Sequence, residues 1–509
     1  MKIGNLPWVA AEREPDKVAI IDGDLRKTWE DWNNDICHIA GGFSEIGLLR
    51  GDRCVCIMPN SYEMATTYFA CHLLGLVFIP VNWRLTRHEF HYVLSDAQAS
   101  VVLFDEVALP NVRSVINNVS IKRVVSTAVS SKEIKFVDLL DSPAAKPKVN
   151  ILDSDTCLML YTSGTTGRPK GVLRSHAAEK LAAIACAAQL RYLSGEKSLG
   201  VMPLFHTMGI RVLLMTALVA GTWVNMRRFD APFAIRLIER ESISALFLVP
   251  TMYHDLLKTK EIKTTNISSV RNLAYAGMAM NRTLEKQVAE TFSPEVFANY
   301  YGSSEIFTFS YCDDLTTKPG SAGWAGMGQV LRVVRADQDA TVGGNEIVAQ
   351  GEFGEVVATM ESGEAFSGYW RRPDADSKAI RDGWYFTGDL GYFDEDGALF
   401  LCGRVDDMII SGGENIHPEE IENILLSSEF VDLAAVVGEH DDRWGQIVVA
   451  YVQSASAAAN STLLDTHCKS SVLADFKRPR KYVFVDKIPV SASGKLMRRL
   501  LRDGDYKIS

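Results

Sequence analysis

Short β-branched runs alternate with longer amphipathic stretches along most of this chain, and that alternation restricts the possible folds more than any other feature. Residues 53–58, 76–81, 100–104, 123–126, 157–162, 245–249 and 273–276 read as buried strands, while 61–74 and 231–241 carry apolar residues at helical spacing. Strand side chains alternate between two faces, and helical ones return to the same face every three or four residues. Strands separated by helices of this length build parallel sheets covered by those helices.

After about residue 347 the pattern changes. Residues 355–360 and 394–402, the latter with a D-E-D-G turn, have an antiparallel character. From Gly403 a smaller unit reads as a strand, a helix at 418–426, strands at 433–437 and 447–453, a further helix and a strand at 481–484. A chain of 509 residues exceeds what one hydrophobic core supports. The expected fold class is therefore α/β in two domains. Residues 1–403 form a large N-terminal domain of layered, largely parallel sheets with helices and a β-rich subdomain. Residues 404–509 form a small α+β C-terminal domain. The run S-A-S-A-A-A-N-S (454–461) is expected as a surface loop.

A hydrophobic fraction of 47% with 23% charged residues is that of an ordinary globular protein. The net charge of -10 argues against nucleic acid or an anionic membrane as the main partner, and leaves room for local basic pockets that hold phosphates. The nine cysteines are scattered; Cys54 and Cys56, in C-V-C, suit neither a zinc site nor a redox pair. Buried reduced thiols are expected, as in a cytoplasmic protein. The start of the chain lacks the basic and apolar segments of a secretory signal, and the apolar stretch 64–81 is interrupted by Gly75 and Pro80, so no membrane span is expected.

The most informative segment is Y-T-S-G-T-T-G-R-P-K-G (161–171), directly after an apolar strand. Its small residues and glycines let backbone N–H groups wrap an anion, its hydroxyls add donors, and Lys170 adds charge. It does not match G-x-x-x-x-G-K-[ST], so an ordinary P-loop is excluded.

Five further segments follow in order: P-L-F-H-T-M-G (203–209), Y-Y-G-S-S-E (300–305), G-W-Y-F-T-G-D (383–389), G-R-V-D-D-M-I-I-S-G-G-E-N-I-H-P (403–418) and P-V-S-A-S-G-K (489–495). Together with the loop at 162–171 they resemble the signature segments of the adenylate-forming superfamily, which includes acyl-CoA synthetases, over nearly the whole chain. The stretch 403–499 resembles in particular the 4-chlorobenzoate–CoA ligase type. The resemblance implies an ATP-dependent acyl-CoA ligase, an acid–thiol ligase that forms an acyl-adenylate and then a thioester. ATP, Mg²⁺ and coenzyme A are the implied cofactors, and a small carboxylic acid is the substrate.

By that resemblance Thr162, Ser163, Gly164, Thr165, Thr166, Gly167, Lys170, Tyr301, Gly302 and Ser304 line the ATP phosphate and base region. Asp389 and Arg404 contact the ribose, and Glu305 is the carboxylate associated with Mg²⁺, a hard cation that takes oxygen ligands. Lys495 is implied as the catalytic lysine bridging the attacking carboxylate and the α-phosphate. Asp406 matches the hinge about which a mobile C-terminal domain turns between the two half-reactions. For CoA, Trp444 in D-D-R-W-G-Q matches a pantetheine-channel residue. Gly412 and Gly413 allow a thin arm to pass, and Arg84, Lys477 and Arg478 supply positive charge for the nucleotide phosphates.

The implied acyl pocket holds His206, Thr207, Met208, Phe247, Val249, Gly277, Met278, Tyr300, Gly302, Ile306 and Phe307. His206 is also a catalytic candidate, gating the pocket or orienting the carboxylate. This apolar, aromatic lining favours an aryl or small-to-medium apolar acid. Arg174 and Arg211 fall near these motifs and are expected at the surface; a buried Arg211 would make a second polar group on the substrate plausible. The alternative reading is an adenylating enzyme that loads a carrier protein or activates an amino acid. Only Leu496–Ser509 follow Lys495, so no carrier domain is expected there, and no pocket aspartate for an ammonium group stands out. The oligomeric state stays open, a homodimer being compatible.

Overall fold

The most apolar stretch of the chain goes into its core. In the computed structural model, which describes residues 2–117, 119–128, 133–144, 150–162, 168–336, 341–412, 414–454, 456, 458–471, 473–490 and 496–507, helix Tyr62–Leu74 has every residue but Glu63 buried. Ser61 caps it, its Oγ accepting from Met64 N at 3.2 Å, and Gly75 ends it at φ +70°, a conformation that favours a residue without Cβ. Strand Val77–Val81 follows, buried at all positions and parallel to Arg53–Ile57. This helix and strand account for the apolarity of 64–81 without a membrane. No helix among the described residues is long and apolar enough to cross one.

Two sheets flank this core. The first runs, in spatial order, Ile134–Lys135, Arg123–Ser126, Val101–Phe104, Arg53–Ile57, Val77–Val81, Thr156–Thr162 and Lys170–Ser175, parallel except for the last pair. The second contains Ser310–Cys312, Val296–Tyr301, Asn272–Ala276, Ala245–Leu248, Lys197–Gly200, Thr222–Asn225, Val18–Asp22 and Leu25–Thr28, parallel through its middle and antiparallel at Ser310–Cys312 and Leu25–Thr28. One apolar cluster joins them, with Cys54, Phe78 and Leu158 from the first and Ile20, Trp223 and Phe247 from the second. The strands expected from β-branched runs are present with ends displaced by at most one residue, because fully buried parallel strands are continuously apolar. Seven of the nine cysteines are buried free thiols.

The C-terminal half contains two more sheets. Leu331–Val334, Gly354–Thr359, Trp384–Phe393, Ile380–Arg381 and Leu399–Arg404 form an antiparallel sheet. Ile409–Ser411, Glu414–Ile416, Leu433–Asp441, Gly445–Gln453 and Lys481–Phe484 form the other, beside helices Pro418–Leu426 and Ser461–Lys469. The strand expected at 433–437 continues to Asp441, since it pairs along its whole length with Gly445–Gln453. The antiparallel stretch expected at 394–402 is the turn at 394–397 followed by strand Leu399–Arg404, which pairs antiparallel with Trp384–Phe393.

The fold class is that read from the sequence; the division into compact units differs from the cut at 403/404. One unit comprises 1–319, 325–330 and 359–378, the other 320–324, 331–358 and 379–509. The β-rich segments group with the C-terminal residues for a local reason. Strand Leu399–Arg404 packs on helix Pro418–Leu426, so closely that a Cβ at Gly403 would overlap the Glu419 carboxylate.

Candidate active site

Strands Thr156–Thr162 and Lys170–Ser175 pair antiparallel, with Thr162 opposite Lys170, and so bracket the proposed phosphate loop. Its residues Ser163, Gly164, Thr165, Thr166 and Gly167 lie outside the described residues, as do Gly413 and Lys495. Lys170 Nζ sits 4.3 Å from the centroid of the Tyr369 ring. Burial pushes its ammonium below the ordinary lysine value, and the negative charge of Glu305 works against that shift.

Strand Val296–Tyr301 delivers the Y-G-S-S-E segment beside this hairpin. Ser303 Oγ accepts from Glu305 N at 3.1 Å and from Ile306 N at 3.3 Å, and Ser303 N donates to Ile306 O at 2.9 Å. The loop closes so tightly that a Cβ at Gly302 would overlap the Phe307 carbonyl, which is why glycine occupies that position. Phe309 N donates to Tyr301 O at 2.8 Å, and the two rings lie 5.0 Å apart. Ser304 is half-buried.

Glu305 is buried and held from several sides. Its carbonyl accepts from Arg174 Nη1 at 2.7 Å and from Phe366 N at 2.9 Å, while Oε1 accepts from the Tyr369 hydroxyl at 2.8 Å. One carboxylate suits Mg²⁺ in a nucleotide site, where the ion takes one or two protein carboxylates and completes its octahedron with phosphate oxygens and water. No cluster of three or more metal-ligating side chains occurs among the described residues, so a fully protein-built cage is not available there.

Arg174 and Arg211 are not at the surface. Both are fully buried around Glu179: Arg174 Nε lies 2.7 Å from Glu179 Oε1 and Arg211 Nη2 3.2 Å from Oε2. Arg174 Nη1 also donates to Glu364 O at 2.6 Å, and Arg211 Nη1 to Glu179 O at 2.7 Å. Burial alone would raise the Glu179 carboxyl; the charges of Arg211 and Arg174 reverse that and hold it below its ordinary value. An arginine inside the apolar run M-G-I-R-V-L-L-M was the available signal, since a charge on a buried helix requires a partner.

Three of the acyl candidates meet beside this cluster. The Phe247 and Tyr300 rings are 5.4 Å apart, and Phe307 is 6.5 Å from each. Arg211 lies over the Phe307 ring at 4.5 Å. A Cβ at Gly277, which has φ +89°, would lie 3.6 Å from Val249 Cγ1. Met208 and Ile306 are buried, and Met278 and Thr207 half-buried. His206 is half-buried at the N-cap of helix Thr207–Leu218, its ring 4.8 Å from Phe205. Elsewhere in this unit Arg84 and Arg228 lie over Trp83, at 4.6 and 4.7 Å.

In the second unit Asp389 and Arg404 are register partners across paired strands. Arg404 Nη1 reaches Asp389 Oδ1 at 2.6 Å and Thr387 O at 2.9 Å. Behind them, buried Glu355 Oε1 accepts from Gly388 N at 2.9 Å. Burial pushes its carboxyl up to about 7, against the pull of the Gly388 N–H and the Arg381 and Arg404 charges. In the folded chain Glu355 therefore keeps its proton where the unfolded side chain, at 4.5, has lost it. Its contribution to stability declines as pH rises from 4.5 to about 7. Glu355→Gln cannot ionise, so relative to the parent it is expected to gain thermal stability near pH 8 compared with near pH 5. A variant–parent difference in midpoint that is the same at both pH values would disprove this account.

The D-D-R-W-G segment is the hairpin turn before Gly445–Gln453. Asp441 Oδ1 accepts from Arg443 N and Trp444 N, each at 2.9 Å, and Gly445 has φ +75°. Gly412 N donates to Trp444 O at 2.8 Å, and a Cβ at Gly412 would lie 2.7 Å from the indole. Arg443 and Arg480 flank the indole at 4.9 and 5.0 Å. Two of the expected CoA contacts are engaged internally: Lys477 pairs with Glu420 at 2.7 Å, and Arg478 with Asp465 at 2.7 Å and Asp475 at 3.1 Å. Arg480, in the same basic run, is the one beside Trp444. Asp406 is exposed in the short turn Val405–Asp407.

The model of the AMP-binding enzyme family matches residues 8–370, and that of the AMP-binding enzyme C-terminal domain matches 420–495. The chain belongs to the AMP-binding enzyme family. Within the adenylate-forming superfamily it falls in the acyl-CoA synthetase branch, the AMP-forming acid–thiol ligases. A 4-chlorobenzoate–CoA ligase from Arthrobacter sp is 32% identical, covering 97% of this chain and 93% of the relative. A long-chain-fatty-acid–CoA ligase from Mycobacterium tuberculosis is 30% identical, with 98% of each chain covered. The o-succinylbenzoate CoA synthetase from Bacillus subtilis, solved with an acyl-adenylate intermediate, superposes with a TM-score of 0.86 at 27% identity, covering 98% of both chains.

Proposed function

We propose that this ligase activates a small aryl carboxylic acid. The carboxylate oxygen attacks the α-phosphorus of ATP and pyrophosphate leaves; the CoA sulfur then attacks the acyl carbon and AMP leaves. The observation that carries the reading is the juxtaposition of a buried carboxylate and a lysine with an aromatic wall. Glu305 and Lys170 meet at Tyr369, and two residues after Glu305 the chain supplies Phe307 to the Phe247–Tyr300 group.

In this reading the loop 163–167, Thr162 and Lys170 hold the phosphates, Tyr301, Gly302 and Ser304 border the nucleotide, and Asp389 with Arg404 takes the ribose hydroxyls. Glu305 would hold Mg²⁺, which when bound neutralises phosphate charge. His206 orients the carboxylate and Lys495 bridges the two reacting anions, which would otherwise repel each other. Residues 404–509 turn about Asp406 between half-reactions, and Arg84, Gly412, Gly413, Trp444, Lys477 and Arg478 line the CoA path, with Arg480 beside Trp444. Seven buried free thiols support a cytoplasmic location.

Dicarboxylates are disfavoured, because Arg211, the arginine that lies over the Phe307 ring, is sealed from solvent and already engaged by Glu179. The test is CoA-dependent AMP release with benzoates, phenylpropenoates, medium-chain fatty acids and dicarboxylates. An aryl acid is expected to exceed any dicarboxylate in kcat/KM by about tenfold or more, as one well-matched apolar group provides. A preference for a dicarboxylate or a fatty acid overturns the aryl assignment, and AMP release with none of them overturns the ligase reading.

A further inference from the structure

Tyr369 belongs to none of the signature segments, yet it touches two charged groups of the site. It lies in S-G-Y-W-R-R-P (367–373) and is 5% exposed. Its hydroxyl donates to Glu305 Oε1 at 2.8 Å, and its ring faces Lys170 Nζ at 4.3 Å. Lys170 and Glu305 come from different elements, one from the strand after the phosphate loop and the other from the loop after Val296–Tyr301.

The mounting of this side chain is rigid. Tyr369 pairs in an antiparallel bridge with Val172 of the strand that carries Lys170. Leu173 N donates to Gly368 O at 3.0 Å and Trp370 N to Gly171 O at 2.7 Å. Tyr369 N donates to Asp376 Oδ1 at 2.7 Å, and Phe366 packs edge-on against the ring at 5.0 Å. Phe366 N in turn donates to Glu305 O.

We propose that Tyr369 is a positioning residue: it orients the Glu305 carboxylate toward a phosphate-bound divalent cation and holds Lys170 at a fixed distance from it. The inference rests on the ligase reading above. Fixing Oε1 fixes the plane of the carboxylate and so the direction in which Oε2 points. A free glutamate side chain must give up rotamer freedom when it binds a cation, and one already held by a hydroxyl gives up less. The ring supplies a separate effect, an attractive surface that keeps the ammonium near the carboxylate.

Two substitutions separate these effects. Tyr369→Phe deletes the hydroxyl and keeps the ring; Tyr369→Leu deletes both. The measurement is calorimetric binding of ATP to the full chain with MgCl₂ and, separately, with EDTA. Tyr369→Phe is expected to reduce the Mg²⁺-dependent gain in ATP affinity about tenfold, the usual cost of losing a group that orients a metal ligand, while leaving affinity in EDTA unchanged. Tyr369→Leu is expected to weaken binding in EDTA as well. A purely structural tyrosine would move the thermal midpoint and both affinities together. Asp376→Ala, run in parallel, loosens the Tyr369 backbone and is expected to reduce the same gain by a smaller factor. If Tyr369→Phe and Asp376→Ala both keep the parental gain, the proposal is overturned; should Tyr369→Phe not fold, an unchanged gain in Asp376→Ala alone does so. A parent chain whose ATP affinity gains nothing from Mg²⁺ refutes the ligase reading and this inference together, whereas a responsive parent with unresponsive variants refutes only the role of Tyr369.

Discussion

Lys495→Ala is expected to lower acid-dependent ATP–pyrophosphate exchange by a hundredfold or more while leaving the conversion of supplied acyl-adenylate to acyl-CoA within about threefold of the parent; removing one donor to developing charge costs roughly 10²–10³ in rate. The asymmetry follows from the chemistry. Adenylation brings a carboxylate against a triphosphate, and a cation between them removes a repulsion that thioester formation, with its neutral acyl carbon, does not face. Val490 and Leu496 bridge on either side of 491–495. Three residues beyond Lys495, Arg498 is anchored by Asp407 at 3.1 Å, Glu419 at 2.7 Å and Glu422 at 2.8 Å. Parental exchange rates in the variant would remove Lys495 from the mechanism, and an equal loss in both half-reactions would assign it to folding.

The largest stability effect is expected at Glu179. Glu179→Ala strips the counter-charge from two fully buried guanidiniums, and breaking a buried pair of this kind costs about 3–5 kcal/mol. Urea unfolding should show an early transition. Glu179→Gln keeps the shape and most hydrogen bonds but not the charge, and is expected to fall between parent and Ala. The pH profile has a definite sign: the folded carboxyl is held below its ordinary value, so its stabilisation is present above about 4.5 and is lost as pH falls through the lower folded value. A Glu179→Ala protein with the parental transition would show that the two arginines need no counter-charge, contrary to the geometry. Because Arg174 also holds the Glu305 carbonyl and Arg211 lies over Phe307, the same variant is expected to lose adenylation activity.

Much of the local structure was legible because its causes are local. Helices 231–241 and 418–426 and strand 481–484 fall where apolar spacing, caps and β-branched runs put them. The glycine of Y-G-S-S-E is explained within six residues, by the carbonyl of Phe307. The misread residues all depend on partners far along the chain. Arg174 finds the carbonyls of Glu305 and Glu364, 131 and 190 residues away, and Arg211 finds Glu179 32 residues back. Spacing within a segment cannot distinguish such an arginine from an exposed one. Lys477 and Arg478, whose basic run suggested positive charge for CoA, each pair with a carboxylate that the run itself does not reveal, Glu420 and Asp465 respectively.

By itself, then, the amino-acid sequence determined the order of strands and helices, the layered α/β class and the residue types from which the site is made, since periodicity, capping and loop chemistry act over a few residues. Tertiary structure alone decided which charges are buried and paired, which β-rich segments group with the C-terminal residues, and that Tyr369, outside every motif, touches Lys170 and Glu305 together. Those outcomes depend on desolvation and on contacts between distant segments, and neither exists until the chain has folded.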